Sequence, residues 1–151
     1  MPHVYIDADA CPVKEEVYRV AQRYGLNVTL VANSYMRVPS GPWIDLVVVG
    51  KGLDEADDLI VERAELGDIV ITGDIPLAAR CLDKGAHVLG HKGRPFTEDN
   101  IGDALASRHL LTMLREQGET TKGPPPFTKK DRSQFLQRLD QTVNEIKRAN
   151  G

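Results

Sequence analysis

The sequence has few cysteines, few aromatic residues and no long apolar run. Its two cysteines, Cys11 and Cys81, cannot build a disulfide framework, and their spacing matches no zinc motif. We therefore expect a reducing, cytoplasmic setting. No apolar stretch approaches the roughly 20 residues that span a bilayer. The chain opens on a strand pattern without a basic leader, so we expect neither a secretory signal nor a membrane partner.

Several motifs that would identify an enzyme class are also missing. The chain has no Walker A sequence, no G-x-S-x-G nucleophile elbow and no histidine pair with zinc-binding spacing. Only 5% of the 151 residues are aromatic and the net charge is −3, which gives little sign of a nucleic-acid surface. The charge is uneven, because residues 1–90 hold 8 Lys or Arg against 14 Asp or Glu, whereas residues 91–151 hold 11 against 8. An acidic body could hold cations while a mildly basic C-terminal part contacts phosphates.

Apolar runs and helical stripes alternate through the first 90 residues. Runs typical of buried strands lie at positions 4–6, 27–32, 44–49, 68–72 and 86–89. Helical apolar periodicity separates them at positions 13–24, 53–66 and 76–84. Strands joined by helices predict a right-handed parallel sheet with helices on both faces. The sequence therefore predicts an α/β core over residues 1–90.

Residues 91–151 have a different pattern. They predict helices at 98–117 and 129–149, separated by a Pro- and Gly-rich connector at 118–128. Because so short a helical segment offers too little apolar area for a core of its own, we expect it to pack on the sheet domain.

Aspartates follow three of the predicted strands. They are Asp7 and Asp9 after the first strand, Asp54, Asp57 and Asp58 after the third, and Asp74 after the fourth. The carboxyl ends of parallel strands meet at one edge, so we expect Asp7, Asp57 and Asp74 to converge there. Crowded carboxylates repel one another unless a proton or cation offsets them, and hard oxygen ligands suit Mg²⁺ or Mn²⁺.

Each acid also has an ordinary structural explanation. Asp74 can cap the helix that follows it, as can Asp54 and one of the first two aspartates. Acids in the first turn of a helix also stabilise its macrodipole. Three acids on one turn exceed what a cap needs, and this favours a ligand role for at least one of them, with Asp57 as the first choice.

Candidate substrate contacts are scattered over the chain. Asn33 follows the second strand and could hold a water, a metal or simply a turn. Candidate phosphate partners are Lys14, Arg37, Lys51, Arg80, Lys92, Arg94, Lys130 and Arg132. Each of these cations, taken alone, is also explained as a solvated surface charge.

Five segments together resemble the YaiI/YqxD family of bacterial proteins. They are Ile6-Asp7-Ala8-Asp9-Ala10-Cys11-Pro12, Val31-Ala32-Asn33, Arg37-Val38-Pro39, Gly52-Leu53-Asp54-Glu55-Ala56-Asp57 and Thr72-Gly73-Asp74-Ile75-Pro76-Leu77-Ala78. That family in turn resembles the PIN and NYN nuclease-like superfamily. The resemblance implies a PIN-like, Rossmann-like sheet in strand order 3-2-1-4-5, a Mg²⁺ or Mn²⁺ cofactor and cleavage of RNA.

The superfamily's acids carry over to particular positions of this chain. Asp7 matches the acid after the first strand, Asp54 or Asp57 the acid that opens the middle helix, and Asp74 the acid of the Gly-Asp motif. A further acid of NYN-like proteins is missing, because alanines occupy positions 78 and 79. That absence argues against two-metal catalysis unless Asp9 or Asp58 takes the place of the missing acid.

Three functions remain open from the sequence. The first is a metal-dependent ribonuclease with Asp7, Asp57 and Asp74 as ligands and with the remaining acids orienting water or a second metal. The second is a haloacid-dehalogenase-like phosphatase, suggested by the pair Asp7 and Asp9, although the second acid after Gly73-Asp74 is lacking. The third is a non-catalytic RNA-binding or adaptor protein on a PIN-like scaffold.

Overall fold

The computed structural model describes residues 2–52, 54–116 and 127–150. The described strands are β1 (Val4–Asp7), β2 (Val28–Ala32), β3 (Ile44–Val48), β4 (Ile69–Ile71), β5 (His87–Leu89) and β6 (Pro95–Phe96). The described helices are α1 (Lys14–Tyr24), α2 (Glu55–Arg63), α3 (Ile75–Asp83), α4 (Glu98–Glu116) and α5 (Lys129–Asn150). The predicted connector at 118–128 lies mostly outside the described residues.

The strands form one mixed sheet in the order β3-β2-β1-β4-β5-β6. The first five are parallel, which confirms the predicted order 3-2-1-4-5. The sequence did not indicate β6, which pairs antiparallel to β5 with Phe96 opposite Val88. Two residues, one of them a proline, are too few to show alternation, and proline is tolerated because β6 lies at the sheet edge.

Alternate residues of the central strand face two separate apolar layers. Val4 and Ile6 join the cluster that contains the inner faces of α1 and α5. Tyr5, between them, joins the cluster formed with α2 and α3. The helices therefore cover both faces of the sheet, as the uninterrupted apolar runs predicted.

The last helix packs along α1 through one apolar stripe. Phe135, Leu139 and Val143 are fully buried against that side of the sheet. A polar contact reinforces the packing, because Asp140 accepts hydrogen bonds from Arg23 at 2.8 Å and from the Tyr24 hydroxyl at 2.7 Å. The buried face of α5 fixes which of its side chains remain available to solvent.

Helix ends differ from the sequence prediction mainly at α2. The apolar pattern predicts a helix over 53–66, but Ala64 already has an extended backbone with ψ of 136°. Within the described part of the chain, no helix combines the length and the hydropathy that a membrane crossing requires.

Candidate functional site

Asp7 lies at the carboxyl end of the central strand, where it is half-buried. Its Oδ2 accepts a hydrogen bond of 2.8 Å from the hydroxyl of Thr72, a buried residue just after β4. Burial raises the pKa of Asp7, the Thr72 hydrogen bond opposes that rise, and the charges of Asp74 and Asp9 add to it. The end of β1 and the end of β4 therefore share one polar site.

Asp57 lies in the first turn of α2, and the charges of the other aspartates reach it there. Burial raises its pKa to about 6, and the charges of Asp74, Asp7 and Asp54 contribute in that order. These contributions require the other carboxylates to lie near Asp57. The charges of Asp7 and Asp74, which come from two other segments, thus add to the effect of burial and disfavour the ionised form of Asp57.

The loop that leads into α2, the helix that carries Asp57, contains a residue with a strained backbone. Asp54 has φ of +65° at the N-cap position of α2, and its side chain makes no capping hydrogen bond. Ala10, in the loop after β1, also has positive φ at +60°. Strained backbone of this kind clusters at functional sites, where the surrounding structure holds it.

Asp74 and Asp9 each have a structural task as well. Oδ1 of Asp74 caps α3 by accepting from the Leu77 amide at 3.0 Å, so the capping explanation holds for this residue. Oδ2 of Asp9 accepts from the Asn33 amide at 2.9 Å and joins the loops after β1 and β2. A carboxylate has two oxygens, so these hydrogen bonds do not prevent either acid from binding a ligand.

Asp58 is directed differently from its neighbour Asp57. It is exposed and forms an ion pair of 2.9 Å with Arg80 on α3. The pair places the Arg80 guanidinium beside the acidic edge, which is the carboxyl end of the sheet with Asp7, Asp57 and Asp74. The positive charge of Arg80 lowers the pKa of Asp57 and so opposes part of its rise.

The carboxylates do not form a closed ligand set. Among the described residues, no group of three or more His, Cys, Asp or Glu side chains could hold a metal ion. Magnesium usually keeps several waters and binds through one or two carboxylates together with substrate phosphates. The hard oxygen donors of Asp7 and Asp57 fit that mode of binding, whereas they do not fit an all-protein cage.

His91 lies at this edge and was missed by the sequence analysis. Its ring occupies the space beside Gly73, where an added methyl group would lie 3.2 Å from Cε1. Its Nε2 is buried without a hydrogen-bond partner in the described structure. Burial and then the charge of Lys14 lower the pKa of His91, which favours the uncharged ring. The signals in the sequence were a glycine after β4 and a single histidine just beyond β5, which belongs to no paired-histidine motif.

Two predicted substrate residues border the site on the β1 side. The ammonium of Lys14 donates to the carbonyls of Ala8 at 3.3 Å and Cys11 at 3.1 Å, which holds it at the loop after β1. Lys14 and the exposed Arg37 line a groove of about 410 Å³. The side chain of Asn33 is exposed, and its backbone rather than its amide contacts Asp9.

The two predicted contacts in the last helix have different surroundings. Arg132 donates to the Pro12 carbonyl and to Glu16, and its guanidinium lies 5.0 Å from the centre of the Phe127 ring. It therefore joins α5 to the start of α1. Lys130 is exposed at the first turn of α5.

The fold and this edge define a class: an α/β protein with a mostly parallel sheet, in which carboxylates from three segments lie at the carboxyl end. A family profile described as "Uncharacterized BCR, YaiI/YqxD family" matches residues 5–145. The chain belongs to the YaiI/YqxD family of bacterial proteins.

Relatives match over nearly the whole chain. A UPF0178 protein of Parvibaculum lavamentivorans is 58% identical over 148 residues, which cover 98% of this chain and 97% of the relative. UPF0178 protein amb2838 of Paramagnetospirillum magneticum is 57% identical over 148 residues, covering 98% of each chain. A UPF0178 protein of Rhodopseudomonas palustris strain HaA2 is 55% identical over 145 residues, covering 96% of this chain and 88% of the relative. No solved structure matches the chain significantly.

Proposed function

We propose that the protein is a Mg²⁺- or Mn²⁺-dependent ribonuclease that acts at the carboxyl edge of its sheet. The observation that carries this proposal is the raised pKa of Asp57, which results mainly from burial and then from the charges of Asp74 and Asp7, two acids of other segments. Acids that repel one another at neutral pH gain stability from a bound cation. A cation at the edge would also attract the negatively charged phosphodiester to an otherwise acidic surface.

The chain's own residues divide into those that hold a cation and those that position RNA. Asp7 and Asp57 would hold the ion, and the charge of Asp74 would add to the negative potential there. A bound ion would polarise the scissile phosphate and lower the pKa of a bound water. Thr72 keeps the Asp7 carboxylate in one orientation through its hydrogen bond. Lys14, fixed by two carbonyls, would contact a phosphate oxygen.

The absence of a further acid on α3 favours a single ion. Ala78 is completely buried there, and its neighbour is also an alanine. Asp58 does not supply the missing charge, because it pairs with Arg80. Asp9 and Asp54 would instead orient water or stabilise the loops around the ion.

One observation favours a second candidate, a non-catalytic RNA-binding or adaptor protein. Among the described side chains, no closed three-ligand group is present. Such a module would need no metal at the acidic edge and would bind RNA equally well in a chelator. Cleavage and binding must therefore be measured separately.

The test is RNA cleavage by the purified full chain. Labelled single-stranded RNA should be cut in millimolar Mn²⁺ and should remain intact in EDTA. Asp7→Asn and Asp57→Asn should each reduce the cleavage rate about 100-fold or more, because loss of a ligand should cost at least as much as the roughly 10–100-fold for a partner that only orients one. Asp58→Asn is a matched control, because the neighbouring carboxylate pairs with Arg80 and is exposed.

The control also detects contamination. If a contaminating nuclease were responsible, all three variants would retain the activity of the wild type. Cleavage that is equal in Asp7→Asn and Asp58→Asn, or no cleavage of any RNA with either metal, would overturn the proposal.

A further inference from the structure

We propose that an open groove between the β5–β6 turn and α5 binds the sugar–phosphate backbone of single-stranded RNA. The groove has a volume of about 510 Å³, and its polar lining comes from Lys92, Arg94, Gln134, Gln137, Arg138 and Gln141. The inference depends on the proposed function for its substrate, but it concerns a surface outside the acidic edge.

The charge of the groove suits a polyanion. Lys92, Arg94 and Arg138 contribute three cations, and no carboxylate is among its described lining residues. Asp131 lies 3.9 Å from the Lys92 ammonium and offsets part of that charge. Within the described structure, no ion pair engages Arg94 or Arg138, so their guanidinium groups can contact phosphates, whose geometry they match.

The α5 side of the groove presents amides. Gln134, Gln137 and Gln141 have helical spacing that places them on one exposed face. An amide both donates and accepts, and so does the 2′-hydroxyl that distinguishes RNA from DNA. The described lining contains no aromatic side chain on which bases could stack. We therefore expect contacts to the backbone without reading of sequence.

The groove is already formed, because the turn contacts the helix backbone directly. Gly93 has φ of +85°, and a methyl group added there would lie 2.8 Å from the carbonyl oxygen of Gln134. The turn is closed by hydrogen bonds from the Gly90 amide to the Arg94 carbonyl at 2.9 Å and from the Gly93 amide to the Gly90 carbonyl at 3.0 Å. On the other side, Phe135 is fully buried and fixes α5. A preformed groove requires little ordering when RNA binds.

The groove begins where the acidic edge ends. The His91 ring contacts Gly73, which immediately precedes Asp74. Lys92 follows His91, and consecutive Cα atoms are about 3.8 Å apart. An RNA strand crossing the edge therefore continues past His91 into the groove. A volume of about 510 Å³ is that of a small-molecule pocket, so it accommodates single-stranded nucleotides rather than a duplex.

The test measures RNA binding in EDTA, where cleavage by a metal enzyme cannot interfere. Fluorescence anisotropy of a labelled oligouridylate would be followed from 50 to 200 mM KCl for the wild type and for the double variant Arg94→Gln/Arg138→Gln. Each phosphate contact to a single strand contributes about −0.7 to the slope of log affinity against log salt. The double variant should bind about 10-fold or more weakly at 50 mM KCl, with a slope reduced in magnitude by about 1.4.

Arg148→Gln is the matched control. Arg148 is an exposed arginine of the same helix, ten residues or about 15 Å beyond Arg138. The Arg148→Gln protein should bind RNA with the affinity and the salt slope of the wild type. Gly93→Ala tests the shape of the groove separately from its charge, because the added methyl group must push the β5–β6 turn away from α5 without changing any charge.

The outcomes separate this proposal from the ribonuclease proposal. RNA binding that is absent in the wild type, unchanged in the double variant, or equally reduced in Arg148→Gln overturns the groove, even if the protein cleaves RNA. Equal affinity for the matching DNA overturns its assignment to RNA. Binding through the groove without any Mn²⁺-dependent cleavage supports the groove and contradicts the ribonuclease.

Discussion

Replacing Asp57 with asparagine tests whether its surroundings, burial first and neighbouring acids second, disfavour the ionised carboxylate. Burial and the charges of Asp74, Asp7 and Asp54 raise the pKa of Asp57 from 3.8 to about 6. A shift of that size corresponds to about 3 kcal/mol without solvent screening. Asp57 is only partly buried, so screening reduces the effect to about 1 kcal/mol.

The sign of the effect depends on pH. A carboxyl group whose pKa is higher in the folded state binds its proton more tightly there. The stabilisation from this proton is fully present below about pH 4 and is lost as the pH rises through about 6. Asparagine is never ionised, so Asp57→Asn should be more stable than the wild type at pH 7.5 and nearly equal to it at pH 4.

Thermal unfolding in EDTA, measured by circular dichroism across this pH range, provides the assay. A gain of about 1 kcal/mol should raise Tm by about 2–4 °C at pH 7.5 for a chain of this length. Asp58→Asn is the control, because it loses only an exposed ion pair of 2.9 Å with Arg80 and should be neutral or slightly destabilised. An Asp57→Asn protein that melts at or below the wild-type temperature at pH 7.5 would refute the reasoning.

Three further predictions concern the packing around the site. Phe135→Ala should lower the free energy of unfolding by about 3–5 kcal/mol in urea titrations, because the ring is fully buried; a loss below about 1 kcal/mol would contradict the packing. Arg132→Glu should lower the free energy of unfolding by about 1–3 kcal/mol, because it places a carboxylate beside the buried Glu16. Lys130→Glu, at an exposed position, should leave the free energy of unfolding nearly unchanged, and equal effects of the two substitutions would contradict this assignment. Cys81, with its pKa raised to about 11, and Cys11, whose pKa burial also raises, should resist alkylation at pH 8 until the protein unfolds; rapid labelling of the native state would show that they are accessible.

The parallel strands could be predicted because each is a short apolar run, and the resemblance to PIN-like proteins implied their order, 3-2-1-4-5. The same regularity placed aspartates beyond β1, β3 and β4, where burial and then the charges of neighbouring aspartates raise the pKa values of Asp7 and Asp57. β6 could not be predicted, because its two residues depend on pairing with β5 rather than on any local pattern.

Side-chain roles that depend on distant partners were also beyond the sequence. Asp57 and Asp58 are adjacent acids with the same local signals, yet one is half-buried among carboxylates and the other pairs with Arg80. Arg132 looked like a free surface cation, but α5 places it against Glu16. His91 has no distinctive neighbour in sequence, and only the fold brings it against Gly73.

The central claim of the proposal is that Asp7 and Asp57, at the carboxyl edge of the sheet, bind a divalent cation. Manganese binding to the full chain, titrated by electron paramagnetic resonance, tests it most directly, because the free ion gives a signal that binding suppresses. We predict saturable binding of about one Mn²⁺ at pH 7.5 that is lost in Asp7→Asn and Asp57→Asn and retained in Asp58→Asn. Wild-type protein that leaves all the manganese free at millimolar concentration, or binding that is equal in all three variants, would contradict the claim.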